Sequence, residues 1–398
     1  MRSRRVLLVV ENVSLARDHR LRKQVGALHR AGYRVSVICR HDPSNRVPAG
    51  VRLLEYPAPA DGRSAAGFLW EYGYSLIMAA RLTARAFLRG GFDAVQISGT
   101  PDIYFVIGVP FRLLGKRVLL DLRDLSPELY EVRYGRRGAV YRMLRVLEWL
   151  TFRSVDHVIT VNGSLDQIVR GRGHVPADNV TVVGNGPALS RVHPRSPDAA
   201  LRNGRRHLCC WLGLMGPQDN LGLALEAVAY FVHTMRRTDC QFAFVGDGES
   251  LTDARRQAQE LGVSPWVSFP GWLGEESAFT YLCTADLGLE PNLEAIVSPV
   301  KVMEYMAFEL PFVAFDLAET RLLGGDAGAY ARPADLTDFA RLTAELLDDP
   351  ERRRRMGIAG KDRVRTDVAW EHQERAYLQA YHAVFGDPPR VVRPAGVQ

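Results

Sequence analysis

Ser298-Pro299-Val300-Lys301-Val302-Met303-Glu304-Tyr305-Met306-Ala307, followed two residues later by Leu310-Pro311-Phe312-Val313-Ala314, is the stretch on which the fold turns. It reads as a loop, a helix and a buried strand in succession. Backbone N–H groups at a helix start offer an anion site, and Lys301 adds a full charge there. Glu304 follows one turn later, on or near the same face. A carboxylate so placed can accept two hydroxyl hydrogen bonds, as a ribose requires. The plainer reading is an exposed Lys–Glu pair on a helix surface.

The same alternation extends outward in both directions. Before it, Leu208–Leu212, Phe242–Val245, Val267–Phe269 and Leu287–Leu289 read as strands, with helices at Leu221–Arg236 and Leu251–Leu261. Earlier still come Val6–Val10, Tyr33–Cys39, Ala94–Ile97, Arg117–Asp121, His157–Val161 and Val180–Val183, with helices at Arg17–Ala31 and Gly138–Arg153. Strands and helices in turn predict parallel sheets covered on both faces. The stretch His193–Arg206, with its Pro, Arg and Gly, reads as a linker. The expectation is an α/β protein of two doubly wound, Rossmann-like domains: residues 1–190, residues 191–370, and a closing helix and mobile tail over 371–398 that returns to the first domain. Ligands of such sheets sit at the carboxyl ends of the strands, so the cleft expected between the domains should hold the chemistry.

Composition narrows the function classes. The chain has 398 residues, 47% hydrophobic and 24% charged, which suits a soluble globular enzyme. No apolar run is long enough to span a bilayer, and the basic start lacks a secretory h-region, so a cytoplasmic location is expected. Five cysteines without a C-x-x-C pair predict reduced thiols rather than zinc. The net charge of +6 is uneven: residues 1–190 hold 28 Lys and Arg against 16 Asp and Glu. A basic first half suits phosphate-bearing or anionic membrane partners, and no nucleic-acid motif accompanies it. No dinucleotide fingerprint follows the first strand, and no P-loop or G-x-S-x-G elbow occurs.

Taken in order, the segments DHRLRKQVGALHRAGYRVSVI, GKRVLLDLRDLSPELYE, DHVITVNGSLDQIV, WLGLMGPQDNLGLALEAV, FAFVGDGE, VSFPGWL and SPVKVMEYMAFELPFVAF resemble a family 4 glycosyltransferase of the two-domain GT-B fold. The resemblance implies transfer of a sugar, with retention, from a nucleoside diphosphate sugar to a hydroxyl acceptor. UDP is the first expectation for the nucleotide, and neither a metal nor another cofactor is implied. It places the ribose on Glu304 and the diphosphate against Val297, Ser298, Pro299, Val300 and Lys301. Gly213 and Gly216 would form the opposite wall through their N–H groups, beside Gly246, with Gly271 and Trp272 near the base. Lys301, Glu304, Arg123 and Asp121 are the catalytic candidates. Asp18, His19, Arg20, Ser98, Asp124 and Asn162 are the candidates for acceptor contacts. Asp18 also reads as an N-cap, and Ser98 as part of a turn.

Departures from the family pattern keep alternatives open. The upstream glutamate of the family's pair is Ile296 here, with Glu294 out of register, and the family's D-x-H-D histidine is Arg123. The loop Leu214–Asn220 carries no base, where many relatives have an Arg and a Lys. A nucleotide-sugar epimerase of the same fold and a non-catalytic nucleotide-sugar-binding subunit therefore stand beside the transferase. The acceptor could be a lipid-linked glycan or a small metabolite. The helix Gly138–Arg153 is expected to bury its apolar face in the domain. Its arginines also suit peripheral contact with an anionic membrane.

Overall fold

Uninterrupted apolar runs such as Val6–Val10 are buried completely, as befits central strands of a sheet covered on both faces. The computed structural model describes residues 3–58, 65–99, 102–294, 296 and 298–386. Val297 and the tail beyond residue 386 lie outside the described residues.

The first sheet contains β1 (Arg5–Ser14), β2 (Arg34–Arg40), β3 (Arg52–Tyr56), β4 (Ala94–Ser98), β5 (Arg117–Leu122), β6 (His157–Thr160) and β7 (Val180–Val182). Their order is β3-β2-β1-β4-β5-β6-β7 and every pair is parallel. The second contains β8 (His207–Leu212), β9 (Cys240–Val245), β10 (Val267–Gly271), β11 (Leu287–Glu290), β12 (Phe312–Phe315) and β13 (Gly328–Ala331), in the order β10-β9-β8-β11-β12-β13. Each order reverses once, at β1/β4 and at β8/β11. Those are the two positions where a doubly wound sheet opens a crevice above its strand ends.

The chain forms two units, one of residues Met1–Gly184 with the chain from Gln373 on, the other of Asn185–His372. The sequence placed these divisions near 190 and 370. From Gln373 on, the helix Trp370–Phe385 is tied into the first unit. The hydroxyls of Tyr377 and Tyr381 each donate to Gln96 Oε1 at 2.8 Å, and Gln373 accepts from the Gly184 amide at 2.8 Å.

Three features were not legible beforehand. Strands β3 and β13 lie at sheet edges. RLLEY and GAYA have no sustained apolar run, because an edge strand needs burial on fewer sides. The helix Ala139–Ser154 corrects the expectation of a buried apolar face. It buries Tyr141, Glu148, Thr151 and Phe152 but exposes Val140, Met143, Val146 and Trp149, while Leu144, Leu147 and Leu150 are half-buried. Glu148 is drawn inward by Arg172, which also bonds Glu128 at 2.5 Å.

Candidate functional site

The helix Val300–Ala307 explains its own spacing. Val302, Met303, Tyr305, Met306 and Ala307 are buried against the second sheet, leaving Lys301 and Glu304, three apart, on a face of their own. Tyr305 fixes the helix to the switch point. Its hydroxyl donates to Leu289 O on β11 at 3.0 Å and accepts from Leu212 N on β8 at 3.3 Å. Gly288 makes room for the ring, since a Cβ there would lie 2.4 Å from it.

Lys301 crosses to the loop after β8. Its Nζ is 2.5 Å from Asp219 Oδ1 and 4.9 Å from the centre of the Trp211 ring. The absence of a side chain at Gly213 permits this path, as a Cβ would come within 2.7 Å of Lys301 Cε. Glu290, at the end of β11, is buried close by and accepts from Asn292 N at 3.3 Å. Burial alone would lower the Lys301 pKa, but Glu290, Asp219 and Glu304 outweigh it and hold the ammonium above its usual value. Burial raises Glu290 above the ordinary carboxylate range, and the attraction of Lys301 opposes the rise. Glu290 and Asp219 were not named as site residues from sequence. The one signal for Glu290 was a carboxylate ending an otherwise apolar strand.

The neighbouring loops close on the same place. Gly246, with φ of 145°, would put a Cβ 1.8 Å from Gly213 O, and its own N–H donates to Gly271 O at 3.0 Å. Gly213, Gly246, Gly271, Ser298, Pro299 and Lys301 thus all sit at the carboxyl ends of β8–β11 or at the helix that follows. Trp272 and Leu214 project from these loops, 64% and 65% exposed. Val300 is exposed, and its amide is held by Ser298 O at 2.9 Å. The Gly213 and Gly216 amides, expected to turn toward phosphate, have acceptors within the protein. Gly213 N donates to Val245 O at 3.0 Å, and Gly216 N donates to Asp219 Oδ2 at 3.0 Å.

In the first unit the candidates divide into enclosed and exposed groups. Arg20 and Asp121 are 2% and 0% exposed. Arg20 grips both oxygens of Asp121 at 2.8–3.2 Å and donates to Val183 O at 2.9 Å. Arg123 donates to Asp121 at 2.9 Å and to Asp18 at 2.5 Å, while Asp18 also caps the helix His19–Arg30 through Leu21 N. Ser98 is buried 3.4 Å from Asp121. Asn162 caps the helix Gly163–Gly171 through Leu165 N. These contacts give Asp121, a catalytic candidate, and Arg20, Ser98 and Asn162, candidates for the acceptor, partners within the unit, which they help to hold together. Arg123 keeps 20% exposure, and His19 and Asp124 are exposed. Glu11, at the switch point of this sheet, was missed. It is buried, with no hydrogen-bond partner for either oxygen among the described residues, and burial, with Asp102 nearby, pushes its pKa up to about 10.

Two family models match the chain: "Glycosyl transferase 4-like domain" over residues 18–186 and "Glycosyl transferases group 1" over residues 206–349. Among curated proteins, the MMP alpha-(1->4)-mannosyltransferase of Mycolicibacterium hassiacum is 25% identical over 77% of this chain and 73% of its own length. Sucrose-phosphate synthase of Thermosynechococcus elongatus superposes with a TM-score of 0.80 at 17% identity, covering 96% of this chain and 99% of that one. HepE of Anabaena, solved with UDP-glucose, superposes with a TM-score of 0.71 at 14% identity, covering 95% and 99%. Similarity at that identity speaks for the fold alone.

Proposed function

Given that the chain belongs to the family 4 type of glycosyltransferase with the two-domain GT-B fold and is a hexosyl-transferring enzyme, we propose that its donor is a nucleoside diphosphate sugar, UDP-linked in the first instance, bound by the second unit. The observation that carries this reading is the convergence of Lys301, Glu304 and the Gly213, Gly246 and Gly271 loops on the β8/β11 switch point. Lys301 meets the diphosphate, Glu304 the ribose hydroxyls, and Trp272 the base. The UDP-glucose carried by the HepE structure supports the choice of nucleotide by likeness of fold.

The reaction proceeds with retention and without a metal. The anomeric carbon–oxygen bond to the diphosphate breaks as a hydroxyl of the acceptor attacks from the same face, and the hydroxyl proton passes to the departing phosphate oxygen. No side chain becomes covalently attached. The main contribution of the protein is electrostatic stabilisation of the leaving diphosphate. A thermal-shift panel of UDP-, GDP-, ADP- and TDP-sugars tests the donor, because a ligand that binds only the native state raises its melting temperature. Glu304→Gln keeps the size of the side chain but loses its charge. Donor affinity should fall roughly 10-fold or more, since hydrogen bonds to charged groups contribute about 1.5–3 kcal/mol. Unchanged affinity in the folded variant removes Glu304 from the site.

The acceptor, on this reading, is presented at an anionic membrane on the inner, cytoplasmic side. No described helix is long and apolar enough to cross a membrane; surface contact is the mode proposed. Met143, Val146 and Trp149 stand exposed between Arg142 and Arg153, and Arg153 lies 4.9 Å over the Trp149 ring. Leu113 and Leu114 are exposed at the end of the neighbouring helix, whose Arg112 donates to Arg153 O at 2.9 Å. Apolar side chains ringed by cations suit the headgroup boundary of anionic lipid. Sedimentation with phosphatidylserine vesicles should capture the protein and phosphatidylcholine vesicles should not, with binding falling as salt rises. Retention of binding after Trp149→Ser with Leu113→Ser would move the contact elsewhere, and binding to neither vesicle would favour a soluble acceptor.

A further inference from the structure

Asp219 occupies a telling place. One carboxylate oxygen lies 2.5 Å from Lys301 Nζ and the other accepts from the Gly216 amide at 3.0 Å. Those are two of the donors on which a diphosphate would depend. A carboxylate bridging an ammonium and a backbone N–H imitates a phosphate in charge and in spacing of its oxygens. The side chain is 6% exposed, so the mimicry takes place inside the protein. Glu290 supplies a second buried acid beside Lys301. A diphosphate added to this arrangement would join Asp219, Glu290 and Glu304 around one ammonium, and the repulsion would oppose binding. One group has to leave. Glu290 is anchored at the end of a central strand, whereas Asp219 stands at the end of the single turn Pro217–Asp219, next to Asn220 in a left-handed conformation.

We propose that Asp219 is a resident anion that fills the phosphate position of the donor site, and that a nucleoside diphosphate binds by displacing its carboxylate from both Lys301 and Gly216. The inference rests on the reading of the second unit as the nucleoside diphosphate site and goes further: it assigns to one residue the control of donor affinity. Displacement releases the cation and removes one of the two acceptors of the Gly216 amide, which also donates to Leu214 O at 3.2 Å, so the cradle opens only when a ligand of greater charge than one carboxylate arrives. A nucleoside without phosphate gains nothing from it. The side chain acts on affinity and is not itself a catalytic residue.

The test compares uridine and UDP binding by calorimetry to the wild type, Asp219→Asn and Asp219→Ala. Removing the competing charge should tighten UDP roughly 10-fold or more, the scale of one hydrogen bond to a charged group, and leave uridine within about 2-fold. Circular dichroism and the melting temperature of each variant establish that it is folded, and Asp219→Asn retains the shape if the smaller side chain disturbs the turn. Weaker UDP binding in both folded variants would overturn the proposal and make Asp219 the residue that positions Lys301 for the phosphate. Equal changes for uridine and UDP would overturn it as well. If UDP, GDP and ADP all fail to bind the wild type and both variants, the assignment of the nucleotide site itself falls.

Discussion

Lys301→Ala should lower the turnover rate by roughly 10²-fold or more, the scale seen when one donor to a developing transition-state charge is removed. No other lysine lies between Lys116 and Lys361. Arg123 and Arg321 are both engaged by carboxylates. Arg123 is held by Asp18 and Asp121, and Arg321 forks Asp316 at 2.5 and 2.7 Å and lies 4.4 Å over the Tyr330 ring. The substitution also leaves Asp219 and Glu290 facing each other without a cation. A stability loss approaching about 3 kcal/mol is expected, the lower end for breaking a buried ion pair. Turnover should therefore be measured well below the melting temperature of the variant, with the donor that the thermal-shift panel selects. Lys301→Arg should recover only part of the rate, because a planar fork does not fill a point-charge site. Near-normal turnover in the Ala variant would reduce Lys301 to a structural partner of Asp219.

The largest effect on stability is expected at Asp121. Asp121→Asn leaves Arg20 and Arg123 buried around a neutral amide. Removing one partner of such a cluster costs about 3–5 kcal/mol, read as the shift in a urea unfolding curve. The pH dependence identifies the cause. Burial alone would raise the Asp121 pKa, but the two guanidinium groups outweigh it and hold the folded value well below the carboxylate range. A group depressed on folding contributes its full stabilisation above its unfolded pKa, about 3.9, and loses it as the pH falls through the folded value. The gap between wild type and variant should therefore be constant from pH 8 to 5 and shrink below about pH 4. A gap that stays unchanged at pH 3, or a folded variant with wild-type stability and lost turnover, would return Asp121 to the catalytic group.

Local pattern carried a large part of this protein. The two sets of alternating strands and helices, the helix Val300–Ala307 and the pairing of Lys301 with Glu304 on one face follow from periodicity, because buried positions along a helix or strand repeat at a spacing visible in the chain. The Gly246 loop was legible too, as Gly246-Asp247-Gly248 closing a buried strand. The edge strands β3 and β13 escaped notice because RLLEY and GAYA carry no sustained apolar run, whereas the edge strands β7 and β10 were legible. The exposed face of the helix Ala139–Ser154 escaped because Glu148 is drawn inward by Arg172, against its own polarity.

The partners of charged groups belong to another level. Lys301 meets Asp219 across 82 residues and Arg20 meets Asp121 across 101. Nothing near either residue in the chain announces its partner. Sheet order decides them: β8 lies beside β11 although β9 and β10 intervene in sequence, and β1 reaches the neighbourhood of β5 through β4. Lys301, Glu304 and the glycine loops were therefore open to reading from the sequence, whereas Asp219 and Glu290 were not. Whether a given charge faces a ligand or is already neutralised depends on which strand ends the fold sets side by side, since a Coulomb interaction acts through distance in space and is indifferent to distance along the chain.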